Sequence, residues 1–198
     1  MEDCWAIFEK QLAVICKKYG VKIGSFVLMS NHFHMIIWTP NENLDEVMHY
    51  LLRQVSKEMN KKSGRINHVF GGPYKWTIVD NDRYLLHVYR YNYQNPIRTG
   101  QASTVQEYRY STFFHLFRNI KTLFPFCDDL ITNCCLLDTD LNKKTIWLNE
   151  IYEEKQSRAI KMALRKNRFK YPLHKRFLNS VKQLEVPKSM AYQVAPSN

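Results

Sequence analysis

Two apolar runs, VKIGSFVLM (Val21–Met29) and HFHMIIWT (His32–Thr39), stand on either side of the polar pair Ser30-Asn31 and constrain this chain more than any other stretch. Each run reads as a strand, with Ser30 and Asn31 as the turn and Pro40 as the stop. Alternation along the second strand sends His32 and His34 to one side and Phe33 to the other. Two imidazoles aimed together are half of a metal site, histidine being the commonest metal ligand. The same pattern also fits two ordinary, partly buried histidines, so other groups must converge on them before a site is defined.

The flanking periodicity is helical. Asp3–Tyr19 carries Trp5, Phe8, Leu12, Ile15 and Tyr19 on one face, with Asp3 available as a cap and Gly20 just past the end. Leu44–Lys62 repeats apolar residues at three and four and has a basic side with Arg53, Lys57, Lys61 and Lys62. INHVF and YKWTIV, on either side of Gly71-Gly72-Pro73, suggest a hairpin, with Tyr74 and Trp76 on one face. A third helix is expected at about Asp82–Asn95, capped by Asp80 or Asn81 and closed by Pro96. Helix, strand pair, helix, strand pair, helix favours an α+β fold, an antiparallel sheet with helices packed on it, over a doubly wound parallel one. Beyond it, Glu107–Phe117 is aromatic and expected to pack back on the domain, Phe126–Leu141 has no clear period, and Trp147–Lys170 reads as a charged helix. The expected organisation is a main α+β domain over 1–118, a basic helical extension over 119–185 and a disordered tail over 186–198.

Charge narrows the partner. The 198 residues carry 29 Lys plus Arg against 18 Asp plus Glu, a formal charge of +11, which points to a polyanion, nucleic acid first and a membrane surface second. No apolar run reaches transmembrane length, and the MEDCW start has no basic leader, so a soluble, cytoplasmic and nucleoid-associated protein is expected. Cys4, Cys16, Cys127, Cys134 and Cys135 form no CxxC pair, which fits reduced, small apolar side chains rather than a disulfide framework.

Within the third helix, Tyr91 lies three residues before Gln94 and four before Asn95, so a phenol and an amide oxygen share one face. The amide could complete a metal site begun by the two histidines, and a tyrosine is a competent nucleophile where a metal neutralises charge. Tyr84, Val88 and Tyr91 also read as an ordinary core stripe.

FVLMSNHFHMII resembles the strand, turn and histidine motif of the single-tyrosine HUH transposases, the insertion-sequence type and the REP-associated tyrosine transposases. VFGGPYKWTIVDNDRYLLHVYRYNYQNPIRTG, with its Tyr-x-x-x-Asn-Pro ending, EYRYST, and WLNEIYEE to ALRKNRF are similar to later blocks of that family, the whole likeness covering roughly 4–170. The resemblance implies His32 and His34 as metal ligands, Tyr91 as nucleophile and Asn95 or Gln94 as third ligand, with magnesium or manganese as the metal. Two imidazoles suit manganese better, since magnesium favours oxygen and keeps its waters. The implied reaction cuts and rejoins single-stranded, hairpin-forming DNA through a 5′-phosphotyrosine. No GxxxxGK[ST] motif accompanies it, and none is needed, because the covalent intermediate keeps the bond energy.

The resemblance also gives the basic surface a task. Lys57, Lys61, Lys62 and Arg65 could follow a DNA backbone, Arg98 could hold a phosphate, and Trp76 could stack an unpaired base. Family members usually begin with a further strand beside the histidine strand, and this chain starts at the first helix, so an open edge is expected next to the metal site. A second copy of the chain could complete it, as a homodimer. Pro73 stands where relatives often have a basic residue. Two rivals to the enzyme follow: a truncated, catalytically impaired DNA-binding remnant, and a hydrolase in which the histidine pair activates water without Tyr91.

Overall fold

The structure is a computed structural model and describes residues 1–66, 68–127, 140–170 and 192–196. Helix α1 (Glu2–Tyr19) has Glu2 and Asp3 in its first turn and Lys17 and Lys18 in its last, each opposing the helix dipole. It stops where Gly20 turns to φ 65°, a left-handed conformation that glycine adopts without Cβ strain. Strands β1 (Lys22–Leu28) and β2 (Phe33–Trp38) pair antiparallel from Lys22↔Trp38 to Leu28↔Phe33, and Met29 N–H donates to the His32 carbonyl at 2.8 Å to close the turn. Helix α2 (Leu44–Ser63), strand β3 (Thr77–Val79) and helix α3 (Asp82–Arg98) follow.

Asn81 caps α3, its Oδ1 accepting from the Arg83 and Tyr84 amides at 3.0 and 3.2 Å. Pro96 does not close this helix, contrary to the sequence reading: α3 runs on to Arg98. Proline has no N–H to offer the Asn92 carbonyl, and Asn95 Nδ2 takes over, donating to the Asn92 and Tyr91 carbonyls at 3.4 and 3.0 Å. A 3-10 turn (Val105–Glu107), α4 (Thr112–Phe117), α5 (Leu141–Asn149), α6 (Glu154–Ala163) and strand β4 (Tyr192–Pro196) complete the described elements.

The four strands form one antiparallel sheet ordered β1-β2-β4-β3. Three expectations change here. Residues 66–70 form no strand among those described, so there is no hairpin at Gly71-Gly72-Pro73; β3 pairs instead with β4 on one side and, through Asn167 and Phe169, with the end of the extension on the other. The 147–170 stretch is not one helix, because the chain breaks between Asn149 and Glu154. Residues 192–196, expected in a disordered tail, lie between β2 and β3, pairing His34↔Pro196 and Thr77↔Val194. The edge beside the histidine strand is therefore taken by this chain, which satisfies the backbone groups that an open edge would leave bare. Cys134 and Cys135, and much of the 119–185 extension, lie outside the described residues.

Each face of the sheet carries its own core. Phe33, Met35 and Ile37 of β2 pack with Phe8, Leu12 and Ile15 of α1 and Val47, Leu51 and Val55 of α2. On the opposite face Val27 and Ile36 meet Val88, Tyr89 and Tyr93 of α3, and the same cluster continues through Leu148, Tyr152, Ile160 and Leu164. The α5–α6 region is thus built into the core that carries α3.

His87 of α3 sits in that second core, its Nδ1 2.8 Å from Tyr152 Oη. Burial, aided by the Arg90 charge, pushes its pKa down to about 4. The unfolded chain then binds the proton more readily, so stability is full above about pH 6.5 and falls as pH drops towards about 4. The loss from this one group is on the order of 3 kcal/mol. Urea unfolding at about pH 7 and about pH 4.5 should show that fall in the wild type and a smaller fall in His87→Leu; equal slopes would remove His87 from the account.

Candidate functional site

Helix α3 presents two polar stripes, and the spacing of each decides what it meets. Positions 91, 95 and 98 follow one another at four and three residues, so Tyr91, Asn95 and Arg98 lie on one side. Positions 87, 90 and 94 form the adjacent stripe. The first faces the histidines of β2 and its turn; the second faces the α5–α6 crossing.

The structure brings His32 and His34 together, with Nε2 to Nε2 at 3.0 Å. Tyr91 joins them: its ring centroid is 6.5 Å from that of His34, edge to face. Tyr91 is only 4% exposed, and its hydroxyl makes no hydrogen bond to a described residue. Arg98, two turns on, lies over the Tyr91 ring with its guanidinium carbon 5.1 Å from the centroid. Arg98 is exposed and has no acidic partner among the described residues.

Electrostatics keep both imidazoles neutral. Burial, then the neighbouring His32 and Arg98, push His34 down to about 3, and burial with the charge of Lys161 lowers His32. A neutral ring is the form that binds a metal. Asn31 Oδ1 lies 2.7 Å from His32 Nδ1, and since an amide oxygen only accepts, the ring carries its proton there and leaves Nε2 as a lone pair. His34 Nδ1 is buried with no hydrogen-bond partner among the described residues, an orphan that leaves its chemistry to Nε2.

The residues fit a divalent ion. Two nitrogens held about 2.1 Å from one ion at a right angle stand about 3 Å apart, which matches the spacing of this pair. Asn95, whose Nδ2 is committed to the helix backbone, leaves its Oδ1 without a hydrogen bond to described residues. No group of three His, Cys, Asp or Glu occurs among the described residues.

Gln94 has a different task from the ligand role that the sequence left open. Fully buried, it donates from Nε2 to the Leu148 and Glu150 carbonyls at 2.8 Å each and accepts from Tyr152 N–H at 3.3 Å. Its neighbours on the stripe do likewise: His87 meets Tyr152, and Arg90 pairs with Glu150 at 3.3 Å while lying over Trp147 and Tyr152. Sequence reasoning missed this stripe. The 87, 90, 94 spacing was visible, but its partners lie more than fifty residues away in the chain, and nothing local names them.

The expected DNA-contacting residues divide. Arg98 is at the site. Lys57, Lys61 and Lys62 are exposed on α2, in the layer across the sheet from α3, with Lys62 paired to Asp3. Arg65 is exposed just past Gly64, and Trp76 is 37% exposed at the start of β3. These five are not gathered around the histidines.

The structure thus sets a strand-borne histidine pair against a helical tyrosine, on an antiparallel sheet with helices on both faces. Residues 2–94, from α1 into α3, match the family model for IS200-like transposases, so this segment is similar to that family. The likeness points in general terms to transposition, and so to DNA. No curated protein and no solved structure matches the chain. No helix among the described residues is long and apolar enough to cross a membrane.

Asn31→Asp should raise the basicity of His32 by about one pKa unit, since a carboxylate favours the charged imidazolium that an amide does not. Following the His32 ring proton by NMR across pH checks this; an unmoved titration would uncouple Asn31 from the ring.

Proposed function

We propose that the protein is a metal-dependent transposase that cuts and rejoins single-stranded, hairpin-forming DNA through a 5′-phosphotyrosine at Tyr91. The observation that carries this reading is the placement of Tyr91 between the His34 ring, 6.5 Å away, and the Arg98 guanidinium, 5.1 Å away. A phenol beside a two-imidazole metal half-site and an unpaired cation has what a covalent attack on a phosphodiester requires.

His32, His34 and Asn95 would hold the ion, magnesium or manganese. Bound there, it supplies Lewis-acid polarisation of a phosphate oxygen and charge neutralisation. The residues of the chain do the rest. Arg98, exposed over the Tyr91 ring, binds a non-bridging phosphate oxygen and holds the phosphorus near Tyr91 Oη. The Oη–P bond forms as the P–O3′ bond breaks, the phenol gives up its proton, and the leaving 3′ oxygen gains one to become a hydroxyl. Attack by another 3′-hydroxyl reverses the exchange and frees Tyr91. Burial of the site limits water, which would otherwise compete as the nucleophile.

Incubation with manganese and labelled single-stranded hairpins should give a covalent protein–DNA adduct on a denaturing gel. Tyr91→Phe should lose it entirely, and Arg98→Ala should lower its rate by about 10- to 1,000-fold. Binding with no adduct from the wild type would instead support the DNA-binding remnant, and cutting that survives Tyr91→Phe would support water as nucleophile.

A further inference from the structure

We infer that the groove between α2 and the segment 65–74 is a subsite for one unpaired nucleotide of a DNA strand: its apolar lining takes the base, and Arg53, at the head of a basic row, takes a phosphate. The inference rests on the reading of the protein as one that works on single-stranded DNA, and adds to it a second contact away from Tyr91.

The segment after Gly64 lies back along α2 and is held at two points. Phe70 packs against Phe33 of β2, ring centroids 6.5 Å apart and edge to face, and Tyr74 Oη donates to Asp45 in the first turn of α2. Between the segment and the helix lies a cavity of about 490 Å³, a volume in the range of small-ligand sites. Leu52, Val69 and Phe70 supply its apolar lining, and His49, Arg53 and His68 its polar one. The lining positions on α2 run from 49 to 60 at steps of three and four, so the groove follows the helix for about 16 Å. The segment leaves apolar surface in the open there: Val69 is 37% and Ile66 98% exposed.

Charge names the occupant. Among the described residues no Asp or Glu lines the groove, and two acids of α2 are engaged elsewhere, Asp45 by Tyr74 and Glu58 by Lys10 and Gln11 of α1. Arg53, Lys57 and Lys61 follow one another at four-residue steps, about 6 Å apart along the axis. All three are exposed and have no acidic partner among the described residues, whereas Lys62, off this row, is paired to Asp3. A purely apolar ligand has no use for such a row, and a bare anion has none for the apolar lining. A nucleotide uses both, its ring against Phe70 and its phosphate on Arg53. The groove belongs to the α1–α2 side of the sheet, whereas Tyr91 is on the α3 side, so a strand seated in it meets the protein at a place the histidine site does not reach.

Oligothymidylate carrying 5-iododeoxyuridine, bound to the full chain without divalent metal, irradiated and digested with trypsin, tests this. The crosslink should fall on the peptide Ile66–Lys75, which trypsin releases between Arg65 and Trp76. Arg53→Ala should lower the slope of log K against log salt by about 0.7, the share of one phosphate contact on a single strand. Phe70→Leu keeps an apolar side chain against Phe33 and removes the ring. It should weaken oligothymidylate binding by about 5- to 150-fold at an unchanged slope, and should leave binding of an abasic strand of the same length as it was. The crosslink map and Arg53→Ala, at an exposed position, decide the matter should Phe70→Leu not fold. A wild-type crosslink that spares Ile66–Lys75 overturns the inference. So does a wild-type slope in Arg53→Ala, or an equal loss on both strands in a folded Phe70→Leu. Absence of binding to either strand removes the DNA reading with it, whereas a crosslink at Ile66–Lys75 with no Tyr91 adduct in manganese removes the proposed chemistry and leaves the subsite.

Discussion

A strand sends successive side chains to opposite faces, and along β2 that alternation divides the protein into two cores with different work. Phe33, Met35 and Ile37 go to the α1–α2 face, an aromatic and aliphatic layer that holds the fold. His34 and Ile36 go to the α3 face, where a polar ring is placed against Tyr91. A one-residue slip in the pairing of β2 would exchange the two sets, burying imidazole among the α1 aromatics and turning Phe33 towards Tyr91. The register is held from both sides, by β1 through Val27↔His34 and by β4 through His34↔Pro196.

The α3 face is unusual in how much buried polarity it carries. His87, Arg90, Gln94 and Asn95 are all under 10% exposed on one helix. Such a layer is stabilising where its groups are satisfied: Asn95 bonds within its own helix, while Gln94, His87 Nδ1 and the Arg90 guanidinium find partners far along the chain at Leu148, Glu150 and Tyr152. The α5–α6 region is accordingly part of what keeps α3 in place. An apolar stripe would have packed as tightly, but it would have tolerated rotation of the helix; hydrogen bonds at 87 and 94 define one rotational setting, and with it the direction in which Tyr91 points.

Local signals made the front of the chain legible. Helical periodicity, Gly20 and a cap at Asp80 or Asn81 give α1, α2 and the start of α3 to within a residue or two, and the HFH spacing and the Tyr91 helix pick out the residues that the structure brings together. What was hidden depended on distant partners. The hairpin read around Gly71 fails because β3 finds its pairs at 167–169 and 192–196, and no local pattern announces pairings over such separations. Pro96 misleads for a subtler reason. The general cost of a proline inside a helix is a lost donor, and at this one position the preceding asparagine supplies a donor from its side chain. Gln94 was indistinguishable from a ligand, since three residues after a tyrosine an amide can face either the site or the crossing.

The charge of the site follows from the same arrangement. Burial alone disfavours protonated imidazole, and Arg98 and Lys161 disfavour it further, so His32 and His34 stay neutral with their Nε2 atoms turned to each other. Positive charge that disfavours an imidazolium would favour a phosphate. In the proposed reaction, neutral ligands for an ion and positive charge for a diester would both come from this set of residues. In the proposed site an imidazole pair with an amide oxygen would hold a cation without adding negative charge, whereas acidic ligands would disfavour a nearby phosphate.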